Sequence, residues 1–295
     1  MKLTFELPLG AIRRTLNGPA MIKPNSIVHV VRRLRRSTRL DWPRLAFLGD
    51  NPGNVLKCRI AYNKYGGYCV PLSSQHRPAA QKILAGEVWE PSTIDFLTSN
   101  CKDGDIVHAG TYFGDFLPAL SQACAMGAKV WAFEPNPENY RCALITVAIN
   151  DLQNVELQNA GVGAHRGSRS MVVLDDCGRS LGGISRLVGT TDDIDEKRLA
   201  TVDIVTVDEI VPPERMVSII QFDVEGFEKH ALTGALMTIH RCKPAIVLEQ
   251  LPEEGWFSKN ILSLGYRIVG VAGEKSHKNT ILSNVYSPNA ALLRR

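Results

Sequence analysis

The chain has 295 residues, enough for one large α/β domain, alone or with an N-terminal extension, and for a substantial buried core. Its net charge of +4 is too small to indicate nucleic-acid binding, and its seven cysteines, which include no C-x-x-C pair, argue against a disulfide framework and a zinc site. No stretch is long and apolar enough to cross a bilayer, and the first 20 residues lack the apolar core of a signal peptide, so a cytoplasmic protein is expected.

Residues 1–100 are predicted to form an N-terminal extension that caps the main domain. Residues 27–36 place apolar side chains at helical spacing among arginines, which is typical of a solvated amphipathic helix or of a docking surface for an acidic partner. Short β-type runs at 55–62 and 65–70 predict an antiparallel hairpin, a candidate substrate lid. Residues 73–100 are predicted to be mostly helical.

The main domain is predicted at residues 101–295. From Asp105 onward strands and helices alternate, which predicts a parallel sheet, with additional β structure and loop inserted at 168–208. The last two strands are predicted to pair as an antiparallel hairpin across a long loop. The predicted strands are 105–109, 129–133, 155–157, 217–222, 244–249, 266–271 and 280–286, and the predicted helices lie within 113–127, 140–150, 227–239 and 257–264.

The first strand of this domain runs into a turn that contains Gly110 and Gly114. Glycine has no Cβ, so it permits positive φ and lets the backbone approach a ligand closely. The dinucleotide fingerprint has three glycines, whereas three residues here separate only two, which favours a ligand without a pyrophosphate. The turn is therefore predicted to hold a cofactor; the alternative is a turn needed only for helix packing.

Acidic residues follow several predicted strands. Because ligands bind outside the carboxyl ends of the strands in an open α/β sheet, Glu134, Asp223 and Glu249 are candidate site residues. Glu134 follows Gly110 by 24 residues (134 minus 110), close to the interval expected for a carboxylate that accepts hydrogen bonds from ribose hydroxyls. The alternative role of Glu134 is to face the N-terminus of the next helix.

Five stretches of the chain together resemble one enzyme family, the FkbM-type S-adenosylmethionine-dependent methyltransferases. They occur in the order of that family, and the resemblance extends over roughly residues 73–295. The Asp-Val-Glu-Gly run after a strand is the most family-specific of them. The matching stretches are 104–115, 133–136, 154–163, 223–228 and 244–249.

The resemblance implies a Rossmann-like, seven-stranded class I methyltransferase sheet, mostly parallel with a C-terminal antiparallel strand, preceded by the β/helical extension. It also implies S-adenosylmethionine as cofactor and a free hydroxyl of a carbohydrate or hydroxylated natural product as acceptor. From the small net charge no nucleic-acid partner is expected, and the oligomeric state stays open. Ribose is expected on Glu134 and adenine near residues 160–162. The expected cofactor-binding residues are His108, Gly110, Thr111, Tyr112, Gly114, Asp115, Glu134, Pro135, Asn136, Ala160, Gly161, Val162 and Asp223.

Two residues of the glycine turn depart from the family pattern. The family commonly has Asp at the position of His108 and Asn at the position of Tyr112, and both positions are expected beside the methionine part of the cofactor. His108 is interpreted either as a replacement that accepts a hydrogen bond from the cofactor's amino group or as a buried histidine whose ring bonds to backbone.

Transfer of a methyl group to a hydroxyl requires a base near the methyl. Asp223, Glu225 and Glu249 are the candidate catalytic residues; the alternatives are a helix cap for Asp223 and a solvated charge for Glu225. No metal site is predicted, because no Asp-Asn pair converges with these carboxylates.

Two other functional classes remain open at the level of the sequence. An NAD-dependent oxidoreductase shares a glycine turn and an acidic second strand, but requires a third glycine and a catalytic constellation that the sequence does not display. A non-catalytic cofactor-binding or scaffolding protein would account for His108 and Tyr112 as marks of lost catalysis.

Overall fold

A computed structural model of the chain describes residues 55–189, 193–274 and 277–286. The basic helix predicted at 27–36 lies outside the described residues. The described part of the predicted extension, from residue 56 onward, belongs to the same compact unit as the main sheet. None of the described helices is long and apolar enough to cross a membrane.

The central sheet has seven strands in the order β12-β13-β11-β10-β3-β4-β5. β13 alone among them runs antiparallel to its neighbours β11 and β12, and the other pairings are parallel. The mostly parallel sheet with a reversed C-terminal strand is therefore confirmed. Its strands are β3 (Asp105–Ala109), β4 (Val130–Phe133), β5 (Val155–Gln158), β10 (Val217–Phe222), β11 (Ala245–Leu248), β12 (Tyr266–Glu274) and β13 (His277–Asn284).

Both faces of the sheet are buried, as expected when helices cover a parallel sheet on two sides. Val107 and Phe222 point into one apolar cluster, and Ile106 and Ile219 point into the cluster on the opposite face. Strands buried on both faces read as continuous apolar runs, which is why the sequence located them.

The helices that flank the strands lie close to their predicted positions, with one break. The helix predicted at 227–239 is two helices, because the Gly234 carbonyl accepts the N–H of Asp208 instead of continuing the helical ladder. The Asp208 carboxylate then accepts the N–H groups of Met237 and Thr238 and so caps the second helix. The helices are α1 (Pro78–Leu84), α2 (Pro91–Asn100), α3 (Leu117–Ala123), α4 (Pro137–Ile149), α5 (Val207–Ile210), α6 (Glu228–Thr233), α7 (Leu236–Cys242) and α8 (Glu254–Asn260).

The predicted N-terminal hairpin is confirmed as β1 (Cys58–Asn63) and β2 (Gly66–Pro71), which pair antiparallel. The hairpin docks on α4, where the Cys69 N–H donates to Thr146 Oγ1 at 3.0 Å. Its strands contribute no lining residue to the two cavities described below, so the hairpin is a packing element of the described fold and not the predicted lid.

The predicted β insertion is a four-stranded sheet in the order β6-β9-β7-β8. The C-terminal hairpin is also confirmed, but its strands run to Glu274 and from His277, so the long loop predicted between them is wrong. The strands of the smaller sheet are β6 (Gly161–Val162), β7 (Gly167–Val172), β8 (Arg186–Leu187) and β9 (Leu199–Val205).

Candidate functional site

The turn after β3 has room only for glycine at its first position. Gly110 has a φ of +88°, and a Cβ at this position would lie 1.8 Å from the backbone oxygen of Asp223 at the end of β10. The Asp223 N–H in turn donates to the Ala109 carbonyl at 3.1 Å. The ends of two neighbouring strands therefore meet backbone to backbone, which a side chain would prevent.

The same turn is tied to the end of β4. Tyr112 adopts a φ of +52°, in the left-handed region that non-glycine residues rarely occupy, and its N–H donates to Glu134 Oε2 at 2.7 Å. Gly114, with a φ of +84°, completes the turn, and its N–H donates to the Thr111 carbonyl at 2.8 Å. The predicted pairing of the glycine turn with Glu134 is thus a direct hydrogen bond.

Glu134 is 4% exposed, and both of its carboxylate oxygens accept backbone hydrogen bonds. Oε1 accepts the N–H of Asn136 at 2.8 Å, and Asn136 caps α4 by accepting the N–H of Glu138. Burial raises the pKa of Glu134 to about 8, although the N–H groups of Asn136 and Tyr112 favour the charged form. Asn139 Nδ2 also donates to Oε1, at 3.5 Å, so the acceptor capacity that remains for a ligand is on Oε2.

A narrow cleft of about 40 Å³ lies beside this turn, and we call it the cofactor cleft. Residues 182–187 of the β insertion lie along it, and Phe227, Met171 and Leu187 give it apolar walls that sequence reasoning missed. Predicted residues that line neither this cleft nor the second cavity are Thr111, Gly114, Asn136 and Ala160. The cleft is lined by Ala109, Gly110, Phe133, Glu134, Pro135, Gly161, Val162, Met171, Gly182, Gly183, Ser185, Leu187, Asp223, Val224, Glu225 and Phe227.

A larger cavity of about 340 Å³ adjoins the cleft, and we call it the acidic cavity. Gly110, Gly183, Asp223 and Glu225 line both spaces, so they mark the junction between them. The cavity is lined by Arg77, Pro78, Ala79, Trp89, Glu90, His108, Gly110, Tyr112, Asp115, Phe116, Gly183, Ile184, Gln221, Asp223, Glu225, Glu249 and His277.

The three predicted catalytic carboxylates converge at this junction. Asp223, Glu225 and Glu249 each offer a ligand oxygen within 4.8 Å of the others, a spacing at which they can share a proton or hold a cation. Burial and the charge of Glu249 raise the pKa of Asp223 well above its usual range. Burial and the same charge raise the pKa of Glu225 to about 7. The structure thus brings carboxylates together whose proximity the sequence did not require.

Two further carboxylates face the cavity from the helical side. Glu90, which sequence reasoning missed, is 4% exposed and accepts hydrogen bonds from Thr93 Oγ1 at 2.9 Å and from Asn279 Nδ2 at 2.8 Å. Its backbone is left-handed, with a φ of 44°, directly before the proline that starts α2. The position of a glutamate directly before Pro91 was the only feature of the sequence that could have singled out Glu90. Burial, together with the charge of Glu90, raises the pKa of the buried Asp115 to about 8.

The His108 ring is buried, and one of its two nitrogens forms a hydrogen bond. Its Nδ1 is hydrogen-bonded to Oε1 of Gln221, the residue opposite it in the register of β3 and β10, and not to backbone. The ring stacks on Phe116 with centroids 5.5 Å apart, and burial lowers the pKa of His108 to about 4. Nε2 has no hydrogen-bond partner among the described residues.

Comparison with known proteins shows which family model the sequence matches. The family model of the methyltransferase FkbM domain matches residues 108–269. A search of curated proteins finds no match for this chain.

Solved structures include several with distant similarity. The methyltransferase FkbM from Methylobacillus flagellatus is 18% identical, with a TM-score of 0.44, over 61% of this chain and 43% of that protein, so this chain spans less than half of its length. A SAM-dependent methyltransferase from Aquifex aeolicus is 13% identical, with a TM-score of 0.38, over 70% and 93% of the two chains. A tRNA (uracil-54, C5)-methyltransferase from Pyrococcus abyssi, in complex with S-adenosyl-L-homocysteine, is 14% identical, with a TM-score of 0.40, over 74% and 42%.

Proposed function

This chain belongs to the FkbM methyltransferase family, and we propose that it transfers a methyl group from S-adenosylmethionine to a hydroxyl oxygen of a small molecule, a carbohydrate or another hydroxylated natural product. The observation that carries the proposal is the junction of the two cavities. There the glycine turn, Asp223 and Glu225 line both the cofactor cleft and the acidic cavity. A donor in one space and an acceptor in the other would meet at these residues.

The residues of the cofactor cleft fit the adenosine part of S-adenosylmethionine. Oε2 of Glu134 keeps one lone pair for a ribose hydroxyl, and the carboxylate otherwise accepts hydrogen bonds from Tyr112, Asn136 and Asn139. Val162 and Phe227 offer apolar walls to an adenine ring. The missing Cβ of Gly110 lets the ends of β3 and β10 meet, and the residues at both strand ends line the cleft.

The carboxylates at the junction fit the proton transfer that an alcohol acceptor needs. S-adenosylmethionine, when bound, supplies an electrophilic methyl group on sulfur. As the acceptor oxygen forms its bond to the methyl carbon, the carbon–sulfur bond breaks with its electron pair on sulfur, and the hydroxyl proton moves to a carboxylate. Glu225 suits this role because its pKa of about 7 lets it take a proton near neutral pH.

The lining of the acidic cavity favours a small molecule over a nucleic acid as acceptor. Five carboxyl groups and one guanidinium line it, so it offers few cationic partners to the phosphates of an RNA or DNA strand.

We also place the protein in the cytoplasm, since its seven cysteines are free thiols, as is usual in a reducing compartment.

Calorimetric titration of the purified protein with S-adenosylhomocysteine, S-adenosylmethionine and NAD⁺ tests the cofactor. We expect both sulfur compounds to bind and NAD⁺ not to bind. Glu134→Gln should weaken S-adenosylhomocysteine binding at least about tenfold, because one acceptor oxygen becomes an N–H₂ donor. Glu156→Gln, on the neighbouring strand β5 and paired with Lys129 on the protein surface, is the matched control.

Thermal unfolding of the Glu134→Gln variant must be measured as well, to show that the variant still folds. The carboxylate of Glu134 accepts the N–H groups of Tyr112 and Asn136, and an amide would accept them less well. A folded Glu134→Gln protein with unchanged affinity would refute the ribose assignment. Binding of NAD⁺ alone would instead establish the oxidoreductase. Tight cofactor binding without methyl transfer to any of a broad panel of hydroxylated acceptors, followed by mass spectrometry, would favour a non-catalytic protein.

A further inference from the structure

We propose that the acceptor of this methyltransferase carries a protonated amino group, which the acidic cavity binds. The inference rests on the proposed function, because it assigns the acceptor to the cavity next to the cofactor cleft. Five carboxyl groups and one guanidinium line this cavity of about 340 Å³. They belong to Glu90, Asp115, Asp223, Glu225, Glu249 and Arg77.

The hydrogen bonds that hold these groups around the cavity come largely from neutral partners. Arg77 donates from Nε and Nη2 to the carbonyl of Ser180, at 3.4 and 3.2 Å, so its guanidinium is directed to a neutral group. The carboxylate of Glu90 accepts hydrogen bonds from Thr93 and Asn279, and the charge of His277 offsets part of the effect by which burial raises its pKa. With one imidazole beside it and four further carboxyl groups around the cavity, Glu90 keeps the capacity to pair with a positive charge that the ligand brings.

His108 adds a buried acceptor to the same cavity. The ring is 2% exposed, and its Nδ1 must carry the hydrogen because the partner atom is the side-chain oxygen of Gln221. Nε2 then presents an unprotonated lone pair, and it has no hydrogen-bond partner among the described residues. A buried acceptor without a donor is costly, and a ligand rich in N–H groups would relieve that cost.

An organic cation fits the shape of the cavity better than a metal ion does. A divalent ion gathers its oxygen ligands within about 2.0–2.6 Å of one point. Asp223, Glu225 and Glu249 are spaced closely enough to meet that condition, but Glu90 and Asp115, which also line the cavity, are not part of that group. The aromatic rings of Trp89 and Phe116 also line the space. Carboxylates together with aromatic rings are the groups that recognise an alkylammonium.

The two cations of the cofactor do not account for the whole arrangement. S-adenosylmethionine carries an ammonium and a sulfonium, which can pair with carboxylates near the glycine turn and at the junction, whereas Glu90 comes from a segment upstream of the matched family domain. The acceptor is therefore the ligand that Glu90 selects. An amino sugar combines the required ammonium with the hydroxyl that the proposed reaction methylates.

The test compares two probe pairs that differ in charge and little in shape, in the presence of saturating S-adenosylhomocysteine. D-glucosamine is compared with D-glucose, and 1,3-diaminopropane with 1,3-propanediol, by calorimetric titration of the full chain. We expect each amine to bind at least about tenfold more tightly than its neutral partner. Glu90→Gln should remove most of that difference and leave S-adenosylhomocysteine affinity unchanged, while Glu87→Gln, an exposed residue of the same segment outside the cavity, should change neither.

Each other outcome overturns the inference or the proposed function separately. Equal affinity of amine and neutral partner, or no binding of either amine, refutes the cationic acceptor while leaving cofactor binding intact. Micromolar binding of Mn²⁺ that the amines do not displace makes the cavity a metal site and also refutes it. Failure of S-adenosylhomocysteine to bind the wild-type protein refutes the proposed function itself. If Glu90→Gln does not fold, Glu249→Gln replaces it, and the criterion is then the ratio of amine affinity to neutral-partner affinity alone.

Discussion

The cofactor cleft and the acidic cavity share four residues but are built by different means. The cofactor cleft is made of turns that directly follow strands, with glycine backbone, apolar walls and one buried carboxylate, Glu134, whose oxygens hold the turn. The acidic cavity gathers polar side chains from elements as far apart in the chain as Arg77 and His277.

This difference shows how the two spaces divide their tasks. A cleft built from backbone geometry recognises one constant ligand, because a backbone position changes little when side chains change. A cavity built from side chains of many elements can be altered one residue at a time, which suits the variable partner of a reaction. We therefore assign the constant cofactor to the first and the acceptor to the second.

Gly110→Ala should give the largest effect, because Gly110 lines both spaces at their junction. The new Cβ would lie 1.8 Å from the Asp223 carbonyl at a φ of +88°, so the ends of β3 and β10 must separate. We expect a loss of about 3 kcal/mol or more in the free energy of unfolding, and loss of S-adenosylhomocysteine binding, measured by denaturation and calorimetry.

Gly178→Ala is the matched control for this variant. Gly178 has a φ of +75°, but nothing lies within 4 Å of its Cβ position. It should cost about 1 kcal/mol and leave cofactor binding unchanged. Equal effects of the two substitutions would show that positive φ, and not the contact between strand ends, limits position 110.

Asp115→Asn should give an intermediate effect that depends on pH and reports on the acidic cavity. The pKa of Asp115 is about 8 in the folded protein and 3.8 without the fold's influence. Between these values the unfolded chain has released the proton and the folded chain has not, so the wild type loses stability as the pH rises through this window. The variant lacks this loss.

The midpoint of thermal unfolding, measured from about pH 5 to about pH 9, checks this prediction. The midpoint of the Asp115→Asn variant minus that of the wild type should increase up to about pH 8 and then level off. A difference that stays flat with pH would mean that the cavity wall is solvated.

Tyr112→Phe should give the smallest effect, and it tests whether a residue between the two spaces contacts the cofactor. The Tyr112 hydroxyl donates to Ser74 Oγ at 2.6 Å, and its ring supports Gly182 and Gly183 beside the cofactor cleft. Losing one buried hydrogen bond should cost about 1 kcal/mol and change S-adenosylhomocysteine affinity less than about threefold.

Ser73→Ala removes a comparable but exposed hydroxyl, which bonds Glu138 at 2.6 Å, and should cost less than about 0.5 kcal/mol. Tyr112 is one of the two residues that depart from the family pattern. If Tyr112→Phe abolished cofactor binding, the Tyr112 hydroxyl would have to contact the ligand and not Ser74.

Sequence reasoning located the cofactor cleft better than the acidic cavity. Gly110 and Glu134 were found because each follows a continuous apolar run at a characteristic interval, and both features are local. Glu90 was missed because it reaches the cavity through a left-handed turn and a hydrogen bond from Asn279, 189 residues later in the chain. The partner of His108 was also missed, because Gln221 lies opposite it only through the register of two strands.

The sequence by itself determined the alternation of strands and helices, the glycine turn and the carboxylates at strand ends, because side-chain period and backbone freedom are properties of neighbouring residues. The break at Gly234, the burial of Glu134 against the turn and the gathering of five carboxylates around one cavity were decided by the tertiary structure. Each of these depends on contacts between elements distant in the chain, and neither periodicity nor spacing encodes the register and packing that create such contacts.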